Sequence, residues 1–540
     1  MEQHNQAKQS NQFLKGTLVL TVAGIVVKII GSLNWIILSR VLGGEGIGLY
    51  QMAFPIYLLA LSISSAGIPV AISIITAEKI ALRDYRGADR VFYLSLALLA
   101  GTGLLLSFCM YLGAGWLIDH RFIRDARAYY ALLALSPAIF LVTVLSSFRG
   151  FLQGWQIMTP TAISQIVEQL FRVAAMLVFA ALLLPKGLDY AAGGASMGAG
   201  AGAAAGLAVL IYYYWRLKQD LAEKEALSPD IGEQENTGSI MRRIIALALP
   251  VSLSSIMLPL VANLDLFIVP ARLEVAGYTV AQATELFGYL TGMAVPLVNL
   301  ATIITAALAT SLVPSVAALS LKDSGGIKRH TAAAMRLANM VTLPAAVTLW
   351  LLATPVSTLI YHAPQAGAVV EVLAISVYLL GIHQVTTGVL QGMGHTTIPV
   401  INMGFAAMVK VIMNWTLAAL PELGIKGAAW ATVADIGVAA LLNLYFVYRY
   451  TGFHLKISDF WQNIAAVTAM GMGIYIVHTA VTGALTETLA TVAAMLTGTV
   501  IYGAVLLLLG GLTERDIRQI PLVGSAAVRI LSVLRLLKSY

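Results

Sequence analysis

Cysteine is nearly absent: Cys109 is the only one in 540 residues, and it sits inside an apolar stretch. That excludes a disulfide framework and a thiolate metal site, and leaves the redox compartment undetermined. Charge is also scarce. Asp, Glu, Lys and Arg make up 11% of the chain, against roughly a quarter in soluble globular proteins. No two of the eight histidines are spaced like a zinc motif on one helix face, so no metal site is expected. Apolar and aromatic residues reach 59%, with a mean hydropathy of +0.84. A water-soluble enzyme is excluded, and an all-α integral membrane protein is the fold class expected. The net charge of +7 and pI near 9.3 could suit a nucleic acid, but the basic residues lie in segments between apolar runs, so the lipid bilayer is the partner expected and nucleic acid is not.

A membrane helix needs about 20 mostly apolar residues, and such windows occur fourteen times, with centres near Ile25, Ala60 and Ile303 among them. The first run follows a polar stretch at 1–12, has no small-residue cleavage site and is too long for a signal-peptide core, so it reads as a retained span. The runs are continuous and show no two-residue period, which predicts helices and not barrel strands. Lys and Arg set the orientation. With the N-terminus inside, inner segments hold 23 basic residues, outer ones seven, and three lie within spans. Both termini are expected to be cytoplasmic. The tail at 513–540 interleaves apolar residues such as Ile517, Val528 and Leu531 with Arg518, Arg529 and Lys538, as a helix lying on the anionic inner leaflet would.

An internal repeat organises the chain. Arg149-Gly-Phe-Leu-Gln-Gly154 is matched by Thr387-Gly-Val-Leu-Gln-Gly392, and the same offset places Arg172 opposite Lys410. Gly194-Ala195 is matched by Gly427-Ala428, and Pro69 and Pro314 are paired as prolines of the second and eighth spans. Six spans per half make the repeat parallel, which is a plan for alternating access. The expected divisions are a six-helix lobe at 1–215, a cytoplasmic linker at 216–243, a second six-helix lobe at 244–450, two added membrane helices at 451–512, and the basic tail. Two motifs mislead. Gly194-Ala-Ser-Met-Gly198 imitates a nucleophile elbow without its strand and turn, and Gly44-Glu-Gly-Ile-Gly48 reads as a tight turn outside the membrane. Gly198, Gly202 and Gly206 form a small-residue ridge for close helix packing.

Charges inside spans are costly and usually face a cavity or a partner. Lys28, Arg172 and Lys410 lie near mid-depth in their spans. Gln165, Glu168, Gln169 and Arg172 follow the i, i+3, i+4, i+7 spacing and share one helix face. Glu168 can neutralise Arg172 as an i,i+4 pair, or both can serve a ligand. Lys410 has no acid within a helical turn, so its charge needs another helix or a substrate. Asp265 could couple transport to Na⁺ or H⁺, or pair with Lys28; Asp435 is the third acid within a span.

With these features in place, the chain resembles the multidrug, oligosaccharidyl-lipid and polysaccharide exporter superfamily. The resemblance rests on Ser39-Arg-Val-Leu-Gly-Gly-Glu-Gly-Ile-Gly-Leu-Tyr50, Ala66-Gly-Ile-Pro-Val-Ala71, Ala77-Glu78, Arg149 to Gly154, Gln165 to Arg172 and Gly424-Ile-Lys-Gly-Ala-Ala429. It is most similar to the polysaccharide-transporter branch, which includes stage V sporulation protein B and Gram-positive lipid II flippases. The resemblance implies two six-helix lobes around a central cavity in a bacterial plasma membrane, and a cargo of polyprenyl tail, pyrophosphate and saccharide. Lys28, Arg40 and Arg149 then stand at cation positions of that family, and Arg172, Lys410, Gln165 and Gln169 join them as candidate substrate contacts. No cofactor is implied beyond Na⁺, H⁺ or the membrane potential, and cell-wall synthesis machinery is a possible partner. The rival readings are a multidrug cation exporter of the same superfamily and a membrane scaffold for envelope assembly. A transferase is disfavoured, because no carboxylates or histidines cluster for acid-base chemistry.

Overall fold

Inside a bilayer each backbone N–H and C=O must find its partner within the segment, so long apolar runs become helices. The structure is a computed structural model that describes residues 2–65, 67–226, 235–319, 324–454, 461–482 and 486–511. Every regular element among them is helical. The protein is an all-α, multi-pass membrane protein. Two compact units form, Met1–Gly288 and Tyr289–Tyr540. The first contains α1 (Glu2–Ser65), α2 (Ile68–Ala81), α3 (Tyr85–Asp119), α4 (Tyr129–Gly154), α5 (Thr159–Leu183), α6 (Leu188–Ala226), α7 (Thr237–Val275) and α8 (Val280–Gly288). The second contains α9 (Val295–Ala301), α10 (Ile303–Leu319), α11 (Ser324–Leu351), α12 (Ala353–Tyr361), α13 (Gly367–Gly392), α14 (Thr397–Leu417), α15 (Ile425–Thr451), α16 (Trp461–Val481) and α17 (Glu487–Leu508).

Twelve helical stretches among the described residues are long and apolar enough to cross a membrane, and a bent pair broken at Thr302 makes a thirteenth. The first stretch, Val26–Ala81, runs from one residue past the expected centre near Ile25 to beyond the one near Ala60. It can do so because α1 folds back at Gly43, whose φ of 66° and ψ of −174° suit a residue without a side chain. A straight helix would hold Trp35 and Tyr50 about 22 Å apart, yet their ring centroids are 5.6 Å apart. Gly44 to Gly48 is therefore helix and not the expected tight turn; the break comes one residue earlier. The glycines here serve close approach. A Cβ on Gly48 would stand 2.0 Å from the Thr284 carbonyl oxygen, so α8 lies directly on α1. The span expected around Ile303 is likewise two helices, with the Thr302 hydroxyl donating to the Val298 carbonyl at the break.

The repeat is visible in the packing. A Cβ on Gly150 would meet the Pro69 carbonyl, and one on Gly154 the Ser73 carbonyl, so α4 lies against α2. Gly388 and Gly392 meet the carbonyls of Ala309 and Val313 in the same way, so α13 lies against α10. These contacts pair Pro69 with Ala309, not with Pro314, which falls inside α10. The compact units and the repeat divide the chain differently, because α7 packs on α1, α2 and α3 within the first unit. Linker residues 227–234 and the tail at 513–540 lie outside the described residues.

The loop before α4 contains a buried carboxylate. Asp125 accepts from the Arg127 backbone N–H at 3.0 Å, from its guanidinium at 2.7 Å, and from the Thr284 hydroxyl at 2.8 Å. Burial alone would push its acidity down, but the bonds from Arg127 and Thr284 outweigh burial and hold the carboxyl below its usual pKa. A depressed native value contributes stability above the unfolded value of about 3.9 and loses it as pH falls through the native value. The melting temperature of the native chain should accordingly drop more steeply between pH 7 and pH 3 than that of Asp125→Asn. Equal slopes would mean that Asp125 titrates alike in the folded and unfolded chain.

Candidate functional site

The glycine ridge of α6 shapes the first unit's polar site. A Cβ on Gly198 would meet the Arg172 carbonyl at 2.7 Å, and one on Gly202 the Glu168 carbonyl at 2.6 Å, so α6 presses on the turn of α5 that carries both charges. Small residues permit that approach. Glu168 bridges two arginines: its Oε2 accepts from Arg149 Nη2 and its Oε1 from Arg172 Nη2, both at 2.8 Å. Arg149 also donates to the Ser164 hydroxyl at 3.1 Å. The expected i,i+4 pair exists, and Arg149, placed by sequence at a membrane edge, reaches from α4 into the same cluster. Two cations on one anion leave a net charge of +1.

Two donors beside that excess are unfilled. Arg172 Nε and the Tyr57 hydroxyl are buried without a hydrogen-bond partner among the described residues, and the Arg172 and Glu168 charges act on Tyr57. Tyr57 belongs to a file on α1 in which Tyr50 stacks on Phe54 at 5.3 Å and Phe54 packs on Tyr57 at 5.7 Å. Gln169 lies against α1 at Gly31, where a Cβ would be 3.2 Å from its Nε2. Gln165 is half-buried, and Lys28 is exposed on α1, three residues before Gly31. Arg40 is exposed just before the Gly43 bend. Asp265 is buried on α7, near Asn263, which donates to the Pro55 carbonyl of α1 at 2.8 Å.

The second unit treats its cation differently. Lys410, 6% exposed on α14, stands 3.7 Å from Asp435 on α15. Its counter-charge comes from another helix. At the repeat-equivalent positions the first unit has Gly202 where the second has Asp435, and the second has Ala406 where the first has Glu168.

Residues 13–320 match the family described as polysaccharide biosynthesis protein. The chain belongs to that family. Within the polysaccharide biosynthesis proteins, it is 29% identical over 530 residues to stage V sporulation protein B of Bacillus subtilis (strain 168), covering 97% of this chain and 100% of that protein. It is 26% identical over 468 residues to the lipid II flippase MurJ of the same organism, covering 83% and 85% of the two chains. The solved structure of lipid II flippase MurJ in an inward closed conformation matches with a TM-score of 0.69 at 15% identity, over 93% of this chain and 100% of that one. At that identity the match shows a shared fold.

A polar cluster joining α2 and α7 was not foreseen from the sequence of this family member. Lys79 pairs with Asp84 at 3.1 Å and with Glu235 at 3.0 Å, Arg243 pairs with Glu78, and Arg90 donates to the Thr237 hydroxyl at 2.7 Å. The signal was present as an adjacent Glu78-Lys79 at the end of an apolar run. Apart from Asp84, its partners lie some 150 residues away, beyond the reach of any helical spacing rule.

Proposed function

We propose that the chain is a flippase that moves a polyprenyl-pyrophosphate-linked saccharide, lipid II first among candidates, from the inner to the outer leaflet of the bacterial plasma membrane by alternating access. Its termini then lie in the cytoplasm, and it acts as a carrier and not as an enzyme. The observation that carries this reading is the Arg149–Glu168–Arg172 cluster, with its surplus cation and the unfilled donors on Arg172 and Tyr57. Phosphate oxygens are the acceptors that such donors match best. Similarity to stage V sporulation protein B and to lipid II flippase MurJ supports the same cargo class. A multidrug cation exporter would need free anionic groups, and here Glu168 and Asp435 are already held by cations.

With the cell interior negative, outward movement of an anion gains about 2.3 kcal/mol per charge per 100 mV, so the membrane potential favours export, alongside or in place of Na⁺ or H⁺ coupling. The test is expression in a bacterium depleted of its own lipid II flippase, reading growth and the fraction of lipid II exposed outside. The native chain should rescue both, and Lys28→Ala combined with Arg172→Ala should abolish rescue at equal expression. If a well-expressed native chain exposes no lipid II, another polyprenyl-linked saccharide becomes the cargo to screen.

A further inference from the structure

The second unit has a cavity of about 270 Å³ between α10 and α13. Its polar lining comes from Thr310, His383, Gln384, Thr387 and Gln391, and no lysine, arginine or carboxylate among the described residues contributes. The polar groups are set for neutral hydrogen bonding. His383 Nε2 is buried with no partner among the described residues. Gln384 is hydrogen-bonded to the Thr305 hydroxyl at 2.5 Å, which leaves at least one of its amide N–H groups to donate. The Thr387 oxygen accepts from Asn443 at 2.9 Å, which leaves its own proton to donate. Gly388, one residue on, lets α10 approach so closely that a Cβ would meet the Ala309 carbonyl at 2.6 Å.

The chemistry of this lining selects its ligand. A bound metal ion would want carboxylates or a cage of oxygens, and a pyrophosphate would want cations; the cavity offers neither. Its mixture of donors and one ring nitrogen suits hydroxyl groups, which both donate and accept. The volume is just under the range of about 300–1,000 Å³ for drug-sized ligands, so a single sugar ring fits the scale. The repeat sharpens the point. Thr387 and Gln391 occupy the positions of Arg149 and Gln153 in the first half, so one motif presents a cation in one unit and only neutral groups in the other.

We propose that this cavity is a subsite for the hydroxyl-rich saccharide head of the cargo. The assignment rests on the carrier function proposed above. A site built to hydrogen-bond hydroxyls discriminates strongly against cargo that lacks them, because its own polar groups are then left unpaired.

The test uses the full chain in vesicles with two probes, undecaprenyl pyrophosphate bearing a disaccharide and bare undecaprenyl pyrophosphate. His383→Phe and Gln391→Leu should each slow translocation of the disaccharide probe about tenfold or more, the equivalent of one lost hydrogen bond. The bare probe should move within about twofold of the native rate, which also reports that each variant is folded. His383→Gln, which keeps a polar group, should retain more disaccharide transport than His383→Phe. Equal losses on both probes, or no loss on either, would overturn the subsite and leave the carrier function standing. A native chain that moves neither probe would overturn the carrier function itself, and the subsite with it.

Discussion

Replacing Glu168 by alanine is expected to lower the unfolding free energy by about 3–5 kcal/mol, the range found when one partner of a buried ion pair is removed. The size follows from the bridge. Both Arg149 and Arg172 lose their carboxylate at once, and the α6 glycine ridge keeps the turn too closely packed for either to swing away at low cost. Glu168→Gln should fall between, since it keeps one hydrogen bond and loses the charge. Arg172→Ala should cost less than Glu168→Ala, because the remaining arginine still neutralises the carboxylate. Denaturant unfolding in detergent micelles measures all three. A loss below about 1 kcal/mol for Glu168→Ala, typical of exposed pairs, would mean that water reaches both guanidinium groups.

The second large effect is expected at Lys410 and Asp435. Asp435→Ala should destabilise by about 3 kcal/mol, as it strips a buried ammonium of the carboxylate 3.7 Å away. The double variant Lys410→Met with Asp435→Leu should recover most of that loss, since well-packed apolar residues often replace a buried pair at no net cost. The same double variant separates structure from transport. If it folds and still exposes lipid II, the pair holds α14 to α15 and nothing more. If it folds and transports nothing, the cargo or its driving ion needs at least one of the two charges.

The helical class, the run of spans and the repeat were legible because apolar length and Lys/Arg bias are local signals. The site was partly legible: the α5 face from Gln165 to Arg172 follows from helical spacing, and the Glu168–Arg172 pair with it. Arg149 was placed by its position along a span, and that misses the reach of a guanidinium to the next helix. The Asp435 partner of Lys410, on α15, and the Glu235 partner of Lys79, just before α7, are brought close only by the tertiary fold. Gly43 shows a different limit. Its neighbours read as turn formers, yet they continue the helix, because packing against α8 outweighs the intrinsic preference of glycine for bends.

The glycine contacts that recur in both halves show which part of the repeat is held fixed. Gly150 and Gly154 differ from Gly388 and Gly392 by one register, while the α2 and α10 residues they touch differ by another, two residues longer. The helix-to-helix seams match while the chain length between them differs, so grafting loops between the halves should be tolerated where exchanging a single seam glycine is not.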